Sequence, residues 1–438
     1  MASDIVRFGL SNHAAIMPNL LSKPQTHIGR VLRVTFGVAL AATFLPGAVP
    51  VARAQNSVQT PTKSLFGAPV PTPNGFDNLF DAVEKLVRAD RLGTKAERVP
   101  DEELLRQMRD NVSRNKPPLA SLRLALQKPT IHPPVRDAAS DFGNYQGFRA
   151  LANLLDQESI LRMSDRDYPG ALQSKLDCIE FGVVITRGGP LRAAIAGRDI
   201  ENIGRRGLEN IVSHLSNEEC EAGAARLDRI ETLRPLFSDA IREGKLAALA
   251  VTRDTFDHKD WEEVVQTTVK LDGTPFSEDE RGTLNTIGQA EVLAGIERTF
   301  SAALQAGDAP YRVAAPREDF ALDPWSTLMA GEVNSPALRT EYEAARAQNR
   351  LLAHALRLRI ERALHGAYPA TLDTSLDPFA DPTGAGSRLK YRRVGESYLL
   401  YSVGPNLKDD GGTPAPRTET GALTPGAGGD IVAPVFSL

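Results

Sequence analysis

Residues 337–372 read ALRTEYEAARAQNRLLAHALRLRIERALHGAYPATL, and this stretch decides the fold class. Leu352, Ala355, Leu356, Ile360, Ala363 and Leu364 recur at the spacing of one helical face. Arg346, Arg350, Arg357 and Arg362 lie toward the other. Gly366 and then Pro369 follow in the order that stops a helix. A long amphipathic helix is therefore expected over roughly Ala337 to His365. Beyond it, Arg388-Leu389-Lys390-Tyr391-Arg392 and Ser397-Tyr398-Leu399-Leu400-Tyr401-Ser402-Val403 read as strands around Val394-Gly395-Glu396, a turn of hairpin length. The tail from Gly404 is rich in Gly, Pro, Thr and Asp. Residues 334–438 thus read as a small α+β module, a long helix plus a short antiparallel sheet.

Upstream, residues 76–333 read as one helical region. Phe76, Leu79, Phe80, Val83, Leu86 and Val87 follow the i, i+3, i+4 rule, with Gly93 placed to stop that helix. Leu104, Leu105, Met108 and Val112 mark a second helix, opened by Asp101, Glu102 and Glu103, whose charge suits a helix N-terminus. Pro117 and Pro118 start a third, which Pro129, Pro133 and Pro134 end. Phe148 to Leu161 and Tyr168 to Thr186 continue the pattern. Gly188-Gly189-Pro190 turns the chain into a helix expected to reach about Leu215. Ser216 and Glu219 fit a capping box, and Pro235 closes the helix that follows. Residues 271–283 read as a loop before one more helix near 284–306. Short turns between amphipathic helices imply antiparallel helical hairpins. The fold expected is mainly α, helical hairpins followed by the α+β module.

The N-terminal end has another character. Arg30 and Arg33 precede an apolar run from Val34 to Val51, and Ala52-Arg53-Ala54 supplies a small-x-small cleavage site. That order describes a secretory signal peptide over 1–54, with the mature chain starting near Gln55. An uncleaved anchor in the inner membrane is the alternative, although Pro46 and Pro50 break a run already short for a span. Pro61, Pro69, Pro71 and Pro73 make 55–75 a linker or extended arm. Of the 438 residues 42% are hydrophobic and 24% charged, an ordinary globular composition. Residues 1–54 hold five basic side chains (Arg7, Lys23, Arg30, Arg33, Arg53) against Asp4, so their removal takes the net charge from −4 to −8. An acidic mature chain offers no electrostatic footprint for nucleic acid. Cys178 and Cys220 both fall in expected helices. Export leaves a disulfide between them open, and two buried free thiols are the alternative.

The C-terminal end resembles the globular domain of type II secretion major pseudopilins. The ordered elements are the long helix into His365-Gly366-Ala367-Tyr368-Pro369, then Asp377-Pro378-Phe379, Leu389-Lys390-Tyr391, Tyr401-Ser402-Val403-Gly404-Pro405-Asn406, Asp409-Asp410-Gly411-Gly412 and Gly428-Gly429-Asp430-Ile431. The whole chain, with Pro73-Asn74-Gly75-Phe76-Asp77 opening its helical part, resembles large exported proteins of planctomycete-type and related bacteria. Those join a helical region to such a tail. The pseudopilin resemblance implies a calcium site in the tail, at Asn406, Asp410 and Asp430 with Ser402 and Asp409 near. Calcium takes six to eight hard oxygens, and glycines permit the tight turns such a loop needs. A solvated Gly/Asp turn is the other reading. True pseudopilins carry an apolar helix directly before the globular part. Here the whole helical region intervenes and the long helix bears arginines, so a detached pilin-like module is expected rather than a filament subunit.

Other chemistry is sparse. His354 and His365 sit near three helical turns apart, too few ligands for zinc. Asp254, Asp257, His258, Asp260, Glu262 and Glu263 read as a solvated helix start. Ser113-Arg114-Asn115-Lys116 is a Ser-x-x-Lys without companion motifs. No P-loop, G-x-S-x-G, H-E-x-x-H or G-x-G-x-x-G occurs. The reading is an exported envelope protein, non-enzymatic, that binds another protein and has a calcium-stabilised C-terminal loop. The alternatives are an accessory of a secretion or pilus-like apparatus and a cell-envelope hydrolase.

Overall fold

The computed structural model describes residues 64–87, 101–137, 144–258, 264–266, 268, 270, 274–311, 322–379, 388–417, 423–424 and 426–436. The expected signal segment, Gly93, and Asp260, Glu262 and Glu263 lie outside them. Among the described residues the protein is mainly helical, with thirteen α-helices and one small sheet. The helices are α1 (Gly75–Glu84), α2 (Glu102–Arg114), α3 (Lys116–Leu126), α4 (Tyr145–Ser164), α5 (Tyr168–Val184), α6 (Leu191–Arg205), α7 (Glu209–Val212), α8 (Asn217–Leu233), α9 (Phe237–His258), α10 (Glu278–Thr286), α11 (Gln289–Asp308), α12 (Pro324–Ala330) and, after a 3₁₀ turn, α13 (Pro336–His365). The strands β1 (Lys390–Val394), β2 (Ser397–Ser402) and β3 (Ile431–Val432) pair antiparallel in the order β1-β2-β3. No described helix is long and apolar enough to cross a membrane.

Local chemistry sets the boundaries. Asn74 caps α1, its Oδ1 accepting from Phe76 N at 3.1 Å, and the same amide clasps both backbone groups of Ile131. Asp101 caps α2 through Leu104 N. Ser216 and Glu219 form the expected capping box at α8. Ser277 and Glu280 form a second box. It starts α10 inside what reads from sequence as a loop, so the one helix expected near 284–306 is two, α10 and α11. The helix expected to reach Leu215 stops at Arg205, because Gly207 turns the chain at φ +73° before the short α7. The first helix likewise ends at Glu84, short of Val87.

Among the described residues, four large apolar clusters and two small ones fill the body. The first joins α1 to α4 with α5 and α6 around Phe76, Phe148 and Phe181, whose rings meet edge to face at 6.0 and 5.7 Å. The α5–α6 hairpin closes on backbone, since a Cβ on Gly182 would lie 2.5 Å from Gly197 O. A second cluster joins α5, α7 and α8 to Leu352, Ala353, Ala355 and Leu356 of α13 and to Phe436 of the tail. A third gathers α9 to α12. The fourth sets Ala344, Ala347, Leu351 and Leu358 of α13 against Tyr368, Phe379, Leu389, Tyr398 and Leu400.

That arrangement leaves little of α13 unpacked, the arginine-bearing face included. The helix is packed on both sides. Arg346 pairs with Glu343 at 2.9 Å and Arg357 with Asp228 at 2.7 Å. Arg350 donates to Leu376 O and Arg362 to Glu396 O. An arginine can point inward when its donors find acceptors, and the guanidinium fork suits that role. A deeply buried network of this kind joins α6, α8 and α13. Arg234, with 2% of its side chain exposed, forks onto Glu201 at 2.9 and 2.6 Å and reaches Glu231 at 2.8 Å. Asn349 donates to both carboxylates. Burial alone would raise Glu231, but Arg234 holds its carboxyl below the usual range.

Candidate functional site

The acidic loop follows β2. On this strand Tyr398, Leu400 and Ser402 face inward, so the chain leaves the sheet at a fully buried Ser402. The Ser402 hydroxyl donates to Asp377 Oδ1 at 2.7 Å, and Val403 N donates to Asp377 Oδ2 at 2.9 Å. Phe379 N adds a third bond to Asp377 Oδ1. Asp377 therefore pins the Asp-Pro-Phe turn to the end of β2. Burial pushes its carboxyl above the usual carboxylate range.

Beyond Gly404 the chain folds back on itself. Asn406 Nδ2 donates to Asp410 Oδ2 at 2.7 Å, and Gly429 N donates to the same oxygen at 2.6 Å. These bonds, with Asn406 first, lower the Asp410 carboxyl. Asp430 is 1% exposed and sits just before β3. Its Oδ2 accepts from Gly412 N at 2.6 Å and its Oδ1 from Asp410 N at 3.3 Å. Its backbone bonds Thr413 O and Ala415 N, so the loop is stitched to the start of β3 from both sides. Burial raises the Asp430 carboxyl, and the charges of Asp410 and Asp409 raise it further. Asp409 Oδ1 accepts from Gly411 N and from Tyr401 OH at 2.7 Å. Burial first, then Asp409, pushes the Tyr401 phenol up to about 12.

The three residues singled out from sequence, Asn406, Asp410 and Asp430, are thus brought into one loop with Asp409 beside them. Ser402 lies beneath, on Asp377 rather than in the loop. As a donor set these are the hard oxygens a calcium ion takes. Several of their lone pairs already accept N–H bonds. Among the described residues, no group of three or more Asp, Glu, His or Cys side chains is disposed to hold a metal ion. None of Asp409, Asp410 and Asp430 is ion-paired there, so the loop's negative charge is offset by backbone N–H groups instead. Asp377 is the anchor the sequence reading does not assign a role. Its signal was present in Asp377-Pro378-Phe379, because an Asp before Pro readily accepts from backbone two residues on.

The other chemical candidates are dispersed. His354 is buried and its Nε2 meets Ser375 N at 3.0 Å, while His365 is exposed beside Glu361. Cys178 and Cys220 are free and buried in different clusters, and burial raises both thiols. Ser113 and Lys116 are exposed where α2 meets α3. Asp254, Asp257 and His258 end α9 rather than start a helix, because the apolar face of Ile241, Ala248, Leu249 and Phe256 runs on beneath them. The chain matches no family model, no curated protein and no solved structure.

Proposed function

We propose that this is an exported envelope protein that acts by holding another protein on its helical hairpins, with the C-terminal acidic loop serving as its calcium-stabilised fastener. The observation that carries the reading is the placement of Asp409, Asp410 and Asp430. Three carboxylates with no ion pair among the described residues share the loop that secures β3, and the chain after β3 inserts Phe436 into the helical core. A divalent cation would offset that charge. Asn406, Asp410 and Asp430 would hold it, and it would add stability rather than chemistry. The nucleophile candidates fit a non-catalytic role. Both thiols are held protonated by burial, and the His354 imidazole nitrogen that could act as a base already accepts from Ser375.

The pilin-like resemblance supports a second reading, an accessory of a secretion or pilus-like apparatus. The structure of α13 weighs against a filament subunit, because both of its sides are already occupied within the chain.

Thermal unfolding of the 55–438 chain in EDTA and in millimolar calcium tests the fastener. A ligand that binds only the native state raises its apparent stability. The expected result is an upward shift with calcium that disappears in Asp430→Ala. Superimposable melts would remove the metal from the proposal. Fractionation with mass spectrometry tests export, which requires a mature chain beginning near Gln55 outside the cytoplasm.

A further inference from the structure

The chain entering α1 does not hang free. Ser64 Oγ donates to Asp239 Oδ1 at 2.6 Å, and Leu65 N donates to Asp239 Oδ2 at 2.8 Å. Asp239 lies in the first turn of α9 with only 2% of its side chain exposed. Its carboxylate is therefore spent largely on a segment remote in sequence. Leu65 to Ala68 then form a tight turn, closed by Ala68 N to Leu65 O at 2.9 Å, with Gly67 at φ +71° in the third position. The turn presents Phe66 beneath Arg242, whose guanidinium carbon is 6.0 Å from the ring centroid. Arg242 is itself fixed, its Nη2 donating to both carboxylate oxygens of Asp308 on α11 at 2.6 and 2.7 Å and its Nη1 to Asp239 at 3.2 Å. Pro69 and Pro71 stiffen the chain from there to a bend at Thr72-Pro73, just before the α1 cap.

A buried carboxylate that reads a hydroxyl and the next N–H, beside an arginine that covers an aromatic ring, has the elements of a peptide-recognition notch. We propose that the α9–α11 notch at Asp239 and Arg242 is a docking site for an extended segment with a Ser-x-aromatic-Gly turn, occupied here by the chain's own arm. Release of the arm opens the notch to the same motif on a partner protein. This rests on the protein-binding reading above and assigns it a place and a ligand chemistry.

The test uses a fluorescent peptide of residues 58–70 and the full mature chain. Leu65→Pro removes the N–H that Asp239 Oδ2 accepts and frees the arm. The peptide is expected to bind the Leu65→Pro chain and to be excluded from wild type by the resident arm. Adding Asp239→Asn to Leu65→Pro should weaken uptake by at least about tenfold, the loss expected for one hydrogen bond to a charged acceptor. A Ser64→Ala chain, milder and still holding Leu65 N, should take up the peptide to an intermediate degree. Circular dichroism checks that each chain is folded. Equal binding to all chains, or no binding to either arm variant, overturns the proposal. If the notch fails this test while the mature chain still crosslinks to one envelope protein in cells, protein binding stands and its site lies elsewhere.

Discussion

His354→Gln isolates one buried titration. His354 is 8% exposed on α13, and its Nε2 accepts from Ser375 N at 3.0 Å with the Ser375 hydroxyl at 2.9 Å. The ring must stay neutral to accept. Burial first, then the charge of Arg357, lowers its pKa from 6.5 to about 4. In the unfolded chain the imidazole returns to the ordinary value. Between those two values the unfolded chain takes a proton that the native chain refuses. The His354 contribution is therefore complete above pH 6.5 and is lost as pH falls toward 4. At 1.36 kcal/mol per unit the whole window is worth about 3 kcal/mol. Gln offers an amide oxygen in place of Nε2 and does not titrate. Urea unfolding of both chains at pH 7.5 and pH 4 should show the wild type losing about 3 kcal/mol more than the variant over that range. NMR titration of the native ring should place its midpoint near 4. Parallel pH profiles, or a native midpoint near 6.5, would refute the reasoning. The segment at stake covers the start of the sheet, because Leu389 N bonds Ser375 O and Thr374 Oγ1 bonds Leu389 O.

Gly75→Ala should destabilise the fold by about 1–3 kcal/mol, since a Cβ there falls 2.0 Å from Thr130 Oγ1 and 2.7 Å from Ala125 O, and denaturant unfolding measures it. Arg234→Met leaves Glu201 and Glu231 buried without their fork, so a loss of about 3–5 kcal/mol is expected. The double variant Arg234→Met, Glu201→Gln should recover part of that loss. An unchanged melt of the single variant would show that Asn349 and Arg205, whose Nη1 lies 3.2 Å from Glu201 Oε2, suffice. Cys178 and Cys220 should both titrate as free thiols after denaturation in the absence of reductant and react slowly before it. A disulfide found by peptide mapping would contradict their placement in separate clusters.

Helix periodicity makes most of the body legible in the sequence. Caps such as Asp101 and Ser216 fix one end of a helix chemically, and the structure places both where the pattern asks. What failed was contextual. Ser277 and Glu280 carry the same capping signal as Ser216 and Glu219, but the Gly and Pro just before them favour a loop by local propensity. The acids from Asp254 onward suit a helix start by charge alone, and the buried face beneath them decides otherwise. For the α13 arginines periodicity records polarity, not whether a carboxylate waits on the neighbouring helix. In the tail, the pseudopilin resemblance, not spacing, singles out Asn406, Asp410 and Asp430, which the structure brings into one loop. It assigns no role to Asp377, whose acceptors are filled by a strand that pairs only in three dimensions.

Membership of α13 in two cores bears on how this chain could have arisen or could be rearranged. One side of the helix seals the α5–α7–α8 cluster and the other seals the sheet, while Phe436 returns to the first of these. The C-terminal segment is therefore not a cassette that recombination could lift out or swap at 334 without exposing both halves. Any fusion, tag or split-protein design that cuts there severs a shared keystone. Insertions belong at the exposed Gly395-Glu396 tip instead.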